Sequence, residues 1–164
     1  RPPAPPTRNR MNTILLALCL ACPLTALAGP IEVGQPLPVP TLQNQHEQAW
    51  RIAPDTQLVI FAAGRTASNL VMAVLSPQPK GLLASRHAVY LADMSKMPGF
   101  ITRTFALPSL REQPFEVGVS LDAKTLAEWP RQENAVTLIR LDQGRVMGHE
   151  FTSTEAQLKA ALGL

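Results

Sequence analysis

The residues best suited by type and spacing to do chemistry are Gly64-Arg65-Thr66-Ala67-Ser68-Asn69, which directly follow an apolar run. A glycine break followed by hydroxyl and amide side chains marks the start of a helix after a strand. Backbone N–H groups at such a terminus favour an anion, and an arginine adds a fixed charge with a bidentate fork. Ligands of open α/β sheets collect outside the C-terminal ends of strands, which is where this loop falls. The implied chemistry is recognition of a carboxylate, a phosphate or an acidic peptide. Gly64, Arg65, Thr66, Ser68 and Asn69 would do it, with Asp93 at the end of the next apolar run. A plainer assignment stands beside it, in which Thr66 caps the helix and Arg65 pairs with a nearby acid such as Asp93.

Other constellations carry less. Cys19 and Cys22 have C-x-x-C spacing but lie in an apolar N-terminal stretch, where small apolar residues of a signal peptide are the simpler reading. His46, His87 and His149 are far apart, and a metal needs three or four convergent ligands, so no metal site is expected. Ser68 has no G-x-S-x-G elbow around it. Neither a P-loop nor a G-x-G-x-x-G motif is present, so no nucleotide or other cofactor is expected. Trp50 and Trp129 read as packing residues.

The N-terminal region sets the expected compartment. Residues 1–10 are Pro- and Arg-rich and read as an extension outside the natural protein, or as the positive flank of a signal. Met11 to Ala28 is apolar and ends Ala26-Leu27-Ala28, a small-x-small cleavage signal. Cleavage there would send residues 29–164 to the periplasm as one domain, with no lasting membrane span. A lipid-anchored form through Cys22 is the alternative. The formal charge of +3 comes from Arg1, Arg8 and Arg10, since twelve Lys and Arg balance twelve Asp and Glu beyond Ala28. The high pI is therefore no argument for nucleic acid. Both cysteines would also leave with the signal.

The elements that must hold the candidate loop can be read from periodicity. Gly29 to Pro40 is a Pro-rich extended lead-in. Gln48 to Ile52 is a short strand, with Trp50 and Ile52 on one face. Gln57 to Ala63 and Ala88 to Met94 read as strands buried on both faces, and Phe115 to Ser120 as a third strand. A helix through Leu75 follows the first, with Leu70, Ala73 and Val74 as its apolar face. A second starts at Pro98 and runs until Pro108. Asp122 caps a short helix from Ala123 to Trp129. Ala135 to Leu141 and Arg145 to Phe151 flank a three-residue hairpin loop, Asp142-Gln143-Gly144. Thr152-Ser153-Thr154-Glu155 is a capping box for a last helix presenting Leu158, Ala161 and Leu162. The order predicts an α/β domain, a mixed thioredoxin-like central sheet with helices on both faces.

In thioredoxins and peroxiredoxins a reactive cysteine sits at the helix N-terminus after the first central strand, where the dipole lowers its pKa. Here Thr66 and Asn69 occupy those places, and Ala135-Val136-Thr137 stands where a cis-proline would. The chain more closely resembles the YtfJ family of periplasmic thioredoxin-like proteins. Ala63-Gly64-Arg65-Thr66, Pro98-Gly99 and Asp142-x-Gly144-Arg145-Val146 carry the resemblance over most of residues 31–164. The family's lysine after Ala-Gly-Arg-Thr is absent, with Asn69 near that place, and its acidic pair is reduced to Asp93. The resemblance implies export and a cysteine-poor thioredoxin fold, without a settled activity. Three functions are compatible with these residues. One is a redox-inert binding module for a small anion or peptide. Another is an oxidoreductase acting without its own cysteine. The third is a cell-envelope partner docking through its Pro-rich N-terminus.

Overall fold

The computed structural model describes residues 2–3, 30–38 and 40–164. The segment 11–28, with Cys19, Cys22 and the expected cleavage site, lies outside the described residues, as does most of the 1–10 extension.

Seven strands form one mixed sheet: β1 (Leu42–Asn44), β2 (Ala49–Trp50), β3 (Leu58–Ala62), β4 (Ala88–Asp93), β5 (Gly118–Ser120), β6 (Val136–Asp142) and β7 (Arg145–Thr152). Their order is β2-β1-β5-β4-β3-β6-β7. β3, β4 and β5 run parallel, while β1 and β6 flank them antiparallel. All five residues of β3 are buried, as its uninterrupted apolar run requires for a strand covered on both faces.

Alternate strand residues feed two cores. On the first face Ile60, Tyr90, Val119 and Leu138 pack beneath α1 (Arg65–Leu75), α2 (Leu82–Ser85), α4 (Leu107–Arg111) and α5 (Glu155–Leu162). On the second face Val59, Phe61, Leu91 and Ile139 meet Leu126, Trp129 and the lead-in residues Ile31 and Leu37. The lead-in is bound to its own sheet. Gly34 N–H donates to the Val146 carbonyl at 2.7 Å, and Val146 N–H donates to the Gln35 carbonyl at 2.9 Å. Residues 30–38 are thus part of the domain's packing rather than a projecting arm. Buried Gln45 joins the sheet edge to the helix layer. Its amide donates to the Phe115 carbonyl at 2.7 Å, and its Oε1 accepts from Val117 N–H at 3.0 Å.

Five local expectations are corrected. The helix predicted over Ala123 to Trp129 is a run of turns, although Asp122 Oδ1 does accept from Lys124 N–H at 2.7 Å. The bonds along it are long three-residue steps, such as Thr125 N–H to the Asp122 carbonyl at 3.4 Å, and so no α-helical ladder forms. Pro108 does not end its helix. α3 (Gly99–Ile101) passes through a π-helical turn, Thr102–Ala106, into α4, closed by Leu107 N–H bonding to the Thr102 carbonyl. A wider turn just before Pro108 relieves the clash its ring would make with the carbonyl four residues back. The hairpin loop has two residues, because Asp142 pairs with Arg145. Gln143 and Gly144 have φ of 49° and 80°, the positive pair of a type I′ turn. The last helix is capped by Thr154, whose Oγ1 accepts from Gln157 N–H at 3.2 Å, two residues later than the expected box. The buried face of α1 is Ala67, Val71, Val74 and Leu75, with Ala73 exposed.

Candidate functional site

β3 ends at Ala62 and α1 begins at Arg65, so the candidate loop does lie at the C-terminal end of the central parallel strands. Gly64 is the N-cap, with φ 150° and ψ 169°, a region essentially confined to glycine. This overturns the capping role expected of Thr66. Thr66 is the second helical residue, and no side chain caps the helix. The first turn holds no acid. The first N–H groups of a helix have no partner within it, and at the start of α1 they stand beside an exposed arginine with no side chain capping them.

The expected residues separate into three environments. Gly64, Arg65, Thr66 and Asn69 are exposed together at the start of α1. Ser68 turns inward and its hydroxyl meets that of Tyr90. Asp93 is not Arg65's partner. Its carboxylate takes Arg131 Nη1 at 3.0 Å on one oxygen and Ser95 N–H at 3.0 Å on the other. Arg65 takes part in none of the five ion pairs found among the described residues. Both oxygens of Asp93 are therefore committed to protein, and Arg65 keeps its charge for solvent or a ligand.

Arg131 is the residue that sequence reasoning missed. It follows the turn segment over the second face, and its guanidinium lies 5.3 Å from the Phe61 ring centre, within cation–π range. Phe61 in turn meets Trp129 edge-on at 5.3 Å. Arg131 Nη2 also donates to the Leu126 carbonyl. No spacing rule announces this, since the pair spans 38 residues.

Burial pushes the Tyr90 hydroxyl up to about 12, with the Ser68 hydrogen bond acting in the opposite, smaller sense. Tyr90 is the one tyrosine, so absorbance near 295 nm in a pH titration reads it alone. Ionisation is expected with a midpoint about two units above that of the unfolded chain. The unfolded chain ionises first, so the associated stability of about 2–3 kcal/mol is intact below pH ~10 and falls away as pH rises towards 12. A normal midpoint in the folded protein would show the hydroxyl to be wet.

No protein-family model matches the chain, and no curated protein matches it. Solved structures do. The assigned thiol:disulfide interchange protein DsbE of Chlorobium tepidum aligns with a TM-score of 0.55 and 13% identity, over 80% of this chain and 93% of that one. A peroxiredoxin-like protein from Aquifex aeolicus aligns at 0.52 and 10%, over 84% and 89%. The peroxidoxin BcpB of Mycobacterium tuberculosis aligns at 0.51 and 14%, over 81% and 95%. The fold is thioredoxin-like. At such identities the likeness concerns the fold alone. Within that thioredoxin-like frame residues 30–164 contain no cysteine, and no cis peptide bond occurs among the described residues. Among those residues no cluster of three or more His, Cys, Asp or Glu side chains is placed to hold a metal, and no helix is long and apolar enough to cross a membrane.

Proposed function

We propose that this thioredoxin-like domain is a binding module, holding a carboxylate or phosphate group at the start of α1 and doing no thiol chemistry of its own. One observation carries the proposal: a helix terminus with no side-chain cap and no acid in its first turn stands beside an exposed arginine outside every ion pair found. N–H groups and dipole together favour a negative group there, and Arg65 supplies the bidentate contact. Thr66 and Asn69 add donors, while Ser68 and Asp93 serve the fold beneath. The anion is either a small ion or the acidic end of a peptide.

Export of residues 29–164 by the Met11–Ala28 segment belongs to the same reading, and a family tie to the YtfJ proteins would agree with it. Intact mass of the protein from its host tests the export step.

Titration calorimetry with phosphate, sulfate and a short acidic peptide tests the site. At least one is expected to give heat, and Arg65→Ala is expected to weaken it at least fivefold, on the order of 1 kcal/mol. Absence of heat from all three with the unaltered protein would end the proposal. Insulin reduction by the same preparation is expected at background. Clear turnover would favour an oxidoreductase that works without its own cysteine.

A further inference from the structure

The chain is close to neutral beyond its N-terminal arginines, yet its charge is unevenly laid out. Between Thr56 and Arg111 there are six cations, Arg65, Lys80, Arg86, Lys96, Arg103 and Arg111, and one acid, Asp93. That acid is buried against Arg131. Of the six cations only Arg111 enters an ion pair, with Glu47. Exposed acids of the helix layer stand at its margins, Glu112 as the C-cap of α4 and Glu155 in the first turn of α5, the latter paired with Lys159, while Asp122 and Glu128 belong to the turn segment on the opposite face of the sheet. Within that layer the stretch from Lys96 to Arg111 carries three cations and no acid, and is its basic part.

Two large apolar side chains stand out on the same layer. Phe100 is 69% exposed and Phe105 is 63% exposed. In a regular α-helix residues five apart point about 140° away from one another. The π turn over Thr102–Ala106 inserts a residue, and a position five further on then falls roughly one full turn later, near the first. The irregularity thus brings both phenyl rings to the solvent side while Thr102, Leu107 and Leu110 stay in the core. Lys96 and Arg103, both exposed, each lie within four residues of a ring in sequence. Exposed aromatic rings with unpaired cations near them in sequence, and no acid between Lys96 and Arg111, are the composition of a segment that rests in a lipid headgroup layer.

We propose that the α3–π–α4 segment is a peripheral docking face for an anionic lipid surface, with Phe100 and Phe105 entering the interface and Lys96 and Arg103 meeting the headgroup phosphates. Charge complementarity selects this occupant. Two protruding rings need a soft surface to enter, and Lys96 and Arg103, outside every ion pair found among the described residues, need a negative one. This inference is independent of the anion site at Arg65, whose calorimetry uses no lipid.

The test uses the full chain with Phe100→Trp, read against the constant background of the buried Trp50 and Trp129. Vesicles of phosphatidylglycerol and phosphatidylethanolamine, with and without brominated acyl chains, are compared with phosphatidylcholine vesicles. The expected result is a blue shift and quenching of the added tryptophan on anionic vesicles. Phe105→Ser is expected to weaken binding at least fivefold. Lys96→Glu with Arg103→Glu is expected to abolish the preference for anionic over neutral lipid, and 0.5 M salt to weaken binding by a similar factor. If the chain binds vesicles without any change at position 100, the N-terminal apolar segment is responsible and the inference fails. It fails equally if the charge-reversed variant binds as before, or if the face binds polyglutamate and no vesicle, which would assign it to an acidic protein.

Discussion

Arg131→Ala is expected to destabilise the domain by about 3–5 kcal/mol, read as a shift in the denaturant midpoint followed by tryptophan fluorescence. The magnitude follows from asymmetry within the pair. The Asp93 side chain is 5% exposed and that of Arg131 is 31% exposed. Removing the arginine leaves a nearly dry carboxylate with one N–H donor, from Ser95. Removing the carboxylate leaves a guanidinium that still reaches water, so Asp93→Ala is expected to cost less, about 1–2 kcal/mol. Arg131 also ties the turn segment to the sheet through the Leu126 carbonyl and covers Phe61, so its loss loosens the second core. Replacing both partners by apolar residues, Asp93→Leu with Arg131→Met, is expected to recover most of the loss. If Arg131→Ala costs under about 1 kcal/mol, Asp93 is hydrated and the pair does not organise this end of the sheet.

The contrast between Arg131 and Arg65 shows what a sequence conveys. Strand β3 was legible because a run buried on both faces has no polar interruption, and β4 for the same reason. The position of the Arg65 loop followed, since a helix must leave the end of such a strand. Ion pairing did not follow: Asp93 could be placed at a strand end, but which arginine meets it depends on how residues 122–131 cross the second face. That crossing is fixed by Leu126 and Trp129 entering the core and by the Thr137 hydroxyl bonding to the Pro130 carbonyl at 2.8 Å. Pro108 misled for a local reason. Proline ends an α-helix, and a widened turn that admits it leaves no mark in composition. The cap of α1 misled in another way, because a threonine hydroxyl can cap a helix, and only Gly64 can take the backbone angles seen there.

Gly118→Ala is expected to be the most damaging single-methyl change, costing about 3 kcal/mol. Gly118 lies on β5 between β1 and β4, paired with Asn44 and Leu91. Its φ is outside the left-handed region, so backbone strain plays no part and alanine would, by propensity alone, stabilise the strand by about 0.5–1 kcal/mol. Space decides the sign. A Cβ there would sit 2.6 Å from Trp50 Cε3 and 2.7 Å from Cζ3, distances at which something must shift. The indole is rigid and buried among Leu42, Ile52 and the rest of the second core, so it cannot swing aside as a flexible chain end would. The glycine exists to let Trp50 cross the sheet. A double-mutant cycle with Trp50→Ala separates this from any other cause. Trp50→Ala alone is expected to cost about 3–5 kcal/mol, and adding Gly118→Ala to it is expected to cost nothing or to stabilise slightly. Additive costs would mean that the methyl group clashes elsewhere. The consequence extends to the C-terminal end of the parallel strands because β5 pairs Ser120 with Asp93, so a displaced β5 also disturbs the carboxylate that Arg131 holds.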